Sequence, residues 1–222
     1  MWADDVFYFA EDEISLLCLL DEILGRLESV GLFVAAHKCT SFARELVWCG
    51  KVYSDGFVSH DPARIQGLSD MRRPQTASEL MQFLSAANWL RTSLPRMAEV
   101  VEPLRVFLEQ LMAGASRITK RVARSRVIQE DAWTAEGVRA WRAAQDWVAQ
   151  AVPLYHPRPG CVVLMFPGAS DLHWRSFFTH VPEREFRRGV ALENMSHEPL
   201  AFLSGSFKGS QLRWATRKVS QS

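Results

Sequence analysis

The sequence has no close pair of cysteines. Cys18, Cys39, Cys49 and Cys161 form no CxxC or similar spacing, which argues against both a zinc site and a disulfide framework. Isolated thiols suit a reducing compartment. No apolar run approaches the roughly 20 residues needed to span a bilayer. The opening MWADDVFYF lacks the basic flank and small-residue cleavage site of a signal peptide. There is no internal repeat, and His156, His173, His180 and His197 are scattered, none with a Cys, Asp or Glu at a convincing metal-ligand spacing. These absences leave a soluble intracellular globular protein as the expectation, with no membrane contact. Nearly half of the 222 residues are apolar, enough for one large or two small cores. The net charge of +1 hides an asymmetry: residues 1–60 carry ten Asp or Glu against four Lys or Arg, and residues 61–126 carry six against eleven. A basic middle permits nucleic-acid contact, although solvated helix faces give similar counts.

Val6-Phe7-Tyr8-Phe9 reads as a short strand, and Glu11-Asp12-Glu13 suits the positive end of a helix behind it. Leu16, Leu20, Ile23, Leu27 and Val30 recur at helical spacing up to Gly31, placed for a left-handed cap. Leu46 to Tyr53 reads as one strand, Ser54-Asp55-Gly56 as a turn and Phe57-Val58 as a return strand. Beyond Asp61 the chain turns helical. Thr76-Ala77-Ser78-Glu79 matches a capping box ahead of Leu80, Phe83, Leu84 and Ala87. A second helix carries Val100, Val101, Leu104, Leu108 and Leu111, with Pro103 in its first turn or kinking it. Arg117, Lys120, Arg121, Arg124 and Arg126 form a basic run with few apolar anchors, simplest as a linker or exposed helix. Thr134 to Ala151 predicts a helix with Val138, Trp141 and Val148 inward, where Trp133, Trp141 and Trp147 favour burial over base stacking. Cys161 to Phe166 reads as a strand buried on both faces, with further strands at 176–181 and 200–203.

Asp4-Asp5 ahead of an apolar strand stands out, because adjacent carboxylates at a turn want a cation or solvent rather than a core. Taken alone, the pair is ordinary turn chemistry. In order and spacing, however, Asp4-Asp5, Lys38-Cys39 with Phe42, Trp48-Cys49-Gly50, Asp61-Pro62-Ala63-Arg64-Ile65 and Pro74 through Pro103-Leu104 resemble reverse transcriptases of gypsy-type long-terminal-repeat retrotransposons. Trp133-Thr134 with Glu136 resembles the connection that follows, and Gly168-Ala169-Ser170-Asp171 and Ala201 to Ser206 resemble the first strands of RNase H.

The resemblance implies an α+β chain: the end of a reverse-transcriptase palm (1–58), a helical thumb-like segment (59–115), a basic linker and connection helix (116–156) and a truncated RNase H-like αβ unit (157–222). It implies Mg²⁺ in the intact parent, held by the vestigial catalytic pair Asp4 and Asp5, with Trp2 in place of the usual aromatic Tyr. An RNA/DNA primer–template is the implied partner. Trp48 and Gly50 fall at the primer-gripping hairpin, although Trp48 serves a core strand equally well. The family takes a third aspartate from upstream of the paired turn, so no independent polymerase activity is expected. At the first RNase H carboxylate position stands Gly168, and where the next Glu-bearing helix is due the chain reads Arg217 to Ser222. RNA hydrolysis is therefore not expected. Two other readings fit the same residues: a non-catalytic nucleic-acid-binding remnant using Arg117, Lys120, Arg121 and Arg124, and a degenerate gene fragment without a role.

Overall fold

The structure, a computed structural model, describes residues 5–115, 117 and 119–213, in two compact units that divide between Asp55 and Gly56. In the first unit, helix α1 spans Glu13–Ser29. Asp12 caps it by accepting from Ser15 N at 2.8 Å, and hydrogen bonding to Ser15 lowers the Asp12 pKa. The helix closes as a Schellman motif, with Leu32 N on Leu27 O and Gly31 N on Glu28 O, and Gly31 takes the left-handed φ of +74° this requires. The predicted apolar face of Leu16, Leu20, Ile23 and Leu27 is the half-buried one.

Two expectations for this unit are corrected. Residues 6–9 form no strand, since a strand needs a pairing partner and the unit supplies none there. Leu46 to Tyr53 is two strands, β1 (Leu46–Trp48) and β2 (Lys51–Ser54), paired antiparallel with Trp48 opposite Lys51. Cys49 at φ +52° and Gly50 at φ +77° occupy the turn. Positive φ at both central residues is the type I′ pattern, whose twist matches that of the flanking strands. The apolar run through Trp48-Cys49 hides the Gly that signals it.

In the second unit, β3 (Phe57–His60) pairs antiparallel with the later β4 (Leu154–Tyr155). Between them lie the helices. Asp61 caps α2 (Pro62–Ser69) through Ala63 N, with Pro62 at the first position, where its missing N–H costs nothing. Thr76 caps α3 (Ala77–Trp89), its Oγ1 accepting from Glu79 N at 3.2 Å, while Glu79 reaches back to Gln75 N at 2.8 Å. Helix α4 (Met97–Leu111) runs through Pro103, which lies inside the helix and not in its first turn. Helices α5 (Lys120–Ser125) and α6 (Ala135–Val148) complete the layer, α6 capped by Thr134 through Gly137 N at 3.1 Å. One core joins α3, α4 and α6: Leu80, Phe83, Ala87, Val101, Leu104, Trp133, Trp141, Trp147 and Val148 are all buried. The burial of the three Trp residues matches expectation, and Trp147 also donates to Pro95 O at 2.7 Å.

A three-stranded antiparallel sheet follows, in the order β5 (Cys161–Ala169), β6 (His173–Pro182), β7 (Glu198–Ser206), with the short helix α7 (Glu183–Arg187) after β6. The predicted strands are present but longer. Strand β5 is not buried on both faces: Val163 and Met165 are each 56% exposed, because β5 is an edge and no described element covers that side. Helix α4 meets β7 through Ala98 N, which donates to Ser204 Oγ at 3.0 Å, and Glu102, which accepts from Ser206. A Cβ on Gly205 would lie 2.6 Å from Trp174 Nε1 in the neighbouring strand. Gly205→Ala is therefore expected to displace the indole and cost roughly 1–3 kcal/mol, measurable by urea titration. A loss under about 0.3 kcal/mol would show that Trp174 moves aside freely.

Candidate nucleic-acid interface

Of the paired aspartates, Asp4 and the neighbouring Trp2 lie outside the described residues, and Asp5 is exposed. Two residues on, the Phe7 ring stacks on Trp48 with centroids 5.1 Å apart and 17° between planes, and it meets Tyr53 at 4.9 Å. This aromatic trio places the segment after Asp5 against the β1–β2 hairpin within the first unit. Trp48 is half-buried and spends its ring on Phe7, as a core residue does. Its Nε1–H, however, is buried without a hydrogen-bond partner, a cost of about 1–3 kcal/mol unless a further acceptor arrives. Gly50 is buried at the hairpin turn. Burial, and secondarily the Cys49 thiol, raises the Tyr53 pKa.

The basic run is an anchored element and not a free linker. Ala123 of α5 is buried with Ala77 and Met112. Ala77 N donates to Arg126 O at 2.9 Å, and Ile128 N to Gln75 O at 2.8 Å, forming a one-bridge ladder at Thr76 and Val127. These bonds tie the chain just after α5 to the start of α3. Thr119 caps it through Val122 N at 3.3 Å. With Val122 and Ala123 turned inward, Lys120, Arg121 and Arg124 stand exposed on the outer face, and Arg117 is exposed just before them. No ion pair among the described residues involves any of the four. Three other basic residues of this unit are matched: Arg72 to Glu79, Arg73 to Glu130, Arg96 to Glu99.

In the sheet, Gly168 sits opposite Arg175, and a Cβ at Gly168 would meet Arg175 Nε at 3.2 Å. An arginine stem thus covers the spot where the resemblance calls for a carboxylate. Asp171 lies three residues on in the bend after β5. Among the described residues no group of three or more His, Cys, Asp or Glu comes together that could hold a metal ion. Asp5 is a hard oxygen donor of the type Mg²⁺ prefers, and among the described residues no such set gathers around it.

Sequence reasoning missed one polar cluster built on a buried histidine. His180 is fully buried and bonds through Nε2 to Glu198 Oε2, and Arg158 donates to Glu198 Oε1 at 2.7 Å. The Cys161 thiol and then Glu198 raise the Arg158 pKa. The partners lie 18 and 40 residues apart, so no local pattern announces them.

No protein-family profile matches the chain. It is 22% identical over 214 residues to the genome polyprotein of Petunia vein clearing virus, covering 95% of this chain and 8% of that protein. It is 22% identical over 109 residues to the Tf2-3 transposon polyprotein of Schizosaccharomyces pombe, 49% of this chain and 8% of that one. Among solved structures, a foamy viral protease–reverse transcriptase in complex with an RNA/DNA hybrid superposes with a TM-score of 0.66 at 16% identity, over 93% of this chain and 24% of that one. The same viral protein in complex with double-stranded DNA gives 0.64 at 17%, over 92% and 37%. The chain thus spans under a tenth of the length of these polyprotein relatives. Its relatives are retroelement polyproteins, and its mixed helix-and-sheet fold matches that of the foamy viral protease–reverse transcriptase.

Proposed function

We propose that this retroelement-derived segment holds a primer–template duplex through the outer face of α5, and that it completes neither metal centre by itself. The observation that carries the reading is three cations, Lys120, Arg121 and Arg124, presented on a helix pinned to the bundle and matched to no carboxylate. A helix already fixed to the bundle loses little backbone freedom on meeting a phosphate backbone, and release of counterions drives the association. The foamy viral neighbours solved with hybrid and with duplex DNA support the same partner class.

In the parent enzyme, Asp4 and Asp5 would hold Mg²⁺, which supplies activation of a primer 3′-hydroxyl and neutralises charge on the leaving pyrophosphate. The chain's own part, as far as the described residues go, is to offer the Asp5 carboxylate two residues before Phe7, which is braced against Trp48 and Tyr53. On the RNase H side, Gly168 brings no ligand and Arg175 brings the wrong charge. Duplex binding that falls with salt and is weakened by reversing Lys120, Arg121 and Arg124 is the test. A Mg²⁺-dependent primer-extension assay on the 222-residue chain is expected to give no product above that of a chain carrying Asp4→Asn and Asp5→Asn. Extension that the double substitution abolishes would overturn the inactive reading.

A further inference from the structure

Across the three-stranded sheet, Phe166, Phe177 and Phe202 stand in one row, with centroids 6.0 and 4.8 Å apart and planes nearly parallel. Beside the first two opens a recess of about 340 Å³, lined by Phe166, Phe177, Leu192, Glu193 and His197. It is of the size of small-ligand sites. The loop beside it is latched: Glu185 accepts from Ser196 N at 2.7 Å and from Ser196 Oγ at 2.9 Å, bonds that lower the Glu185 pKa.

The polar groups of the recess fix the chemistry it accepts. His197 Nε2 lies 2.7 Å from Leu192 O, and a carbonyl only accepts, so Nε2 carries the hydrogen. In the neutral ring Nδ1 is then a bare acceptor, and it is buried with no partner. Glu193, at the exposed rim, adds two further acceptor oxygens. A fitting ligand is flat, apolar on its faces and rich in N–H donors along one edge.

The neighbouring row decides between an anionic and a cationic owner of those donors. Gly168, Arg175 and Ser204 are paired across the same three strands two residues along from the phenylalanines, hence on the same face and roughly 7 Å away. The exposed Arg175 has no ion-pair partner among the described residues. It repels a guanidinium or ammonium ligand and attracts a phosphate, about as far from the recess as a nucleotide's phosphate lies from its base. We infer that this face binds an unpaired guanine nucleotide, with the base between Phe166, Phe177 and Leu192 beside the His197 ring, its N–H edge on Glu193, and its phosphate on Arg175. The inference deepens the nucleic-acid reading and rests on it for the source of the base, a single strand beside the duplex.

The test uses the 222-residue chain and fluorescence anisotropy of labelled eight-residue oligothymidylates, all-T or with one central G, inosine or A. The G oligonucleotide is expected to bind about tenfold more tightly than all-T, the worth of one or two hydrogen bonds to an ionised acceptor. Inosine, which lacks the 2-amino group, falls between them, and A gains little. Glu193→Gln removes the G preference, and Arg175→Gln weakens all four oligonucleotides alike. In parallel, GMP is expected to shift the His197 ring resonances in NMR. Equal affinity for G and T, a preference that survives Glu193→Gln, or a His197 shift with N-acetylarginine amide but not GMP would overturn the proposal. Because GMP does not depend on α5, a GMP shift without duplex binding removes the α5 reading alone. Duplex binding without a G preference removes this site alone.

Discussion

Phe83→Ala is expected to destabilise the second unit by about 3–5 kcal/mol, the range for deleting a fully buried aromatic side chain. Phe83 has no exposed surface, and its ring lies 4.4 Å from that of Trp141, which in turn meets Trp133. Removing it strips three kinds of support at once: the transfer energy of the ring, the aromatic contact worth about 0.5–1.5 kcal/mol beyond its area, and the packing of walls that are too rigid to collapse. The walls are rigid because α3, α4 and α6 all meet there, through Leu80, Val101 and Trp141. Urea unfolding followed by Trp fluorescence is the measurement, with Phe33→Ala as the control. Phe33 is 95% exposed in the first unit, so its loss should fall within about 0.5 kcal/mol of zero. A Phe83→Ala cost below about 1 kcal/mol would mean that the bundle is loosely packed.

The helices around that core were legible in the sequence because each carries its own start and stop signals. Thr76 with Glu79, Thr134 ahead of Gly137, Asp61 before Pro62 and Gly31 after α1 all do what their residue types favour. Apolar residues at helical spacing then orient each helix, and Leu80, Phe83, Ala87, Trp141 and Val148 went where that spacing placed them. Strand readings were weaker because a strand's burial depends on its neighbours. The apolar run at β5 looks like a doubly covered strand, yet its exposure is set by the number of strands beside it, which no local pattern records. The run at 6–9 failed as a strand for the same reason.

The candidate sites divide along the same line. The cations of α5 were visible as residues, but their value as a fixed surface depends on backbone bonds to Gln75 and Ala77, some 50 positions earlier in the chain. Gly168 was visible as a missing carboxylate. That an arginine seven residues later stands over it, reversing the charge, follows only from strand register. The recess beside Phe166 is built from β5, β6 and the turn at 192–194, three places with no shared motif. In each case the residue type is local information and the partner is topological.

Reversing Lys120, Arg121 and Arg124 to Glu together is expected to weaken duplex binding by roughly a hundredfold or more at low salt and to flatten the salt dependence. Each phosphate contact contributes about 0.9 to the slope of log K against log salt, so losing three should reduce its magnitude by roughly three. The two readouts must move together, since a folding defect lowers the active fraction without changing the slope. Folding itself should be preserved: α5 is held by Ala123, the Thr119 cap and backbone bonds at Ala77 and Ile128, none of which the substitutions touch. Arg187→Glu is the matched control, because Arg187 already pairs with Glu183 at 2.6 Å and presents little net charge to a phosphate. Unchanged slope and affinity in the triple variant would mean that the basic face of α5 is solvated surface and that any duplex binding lies elsewhere in the chain.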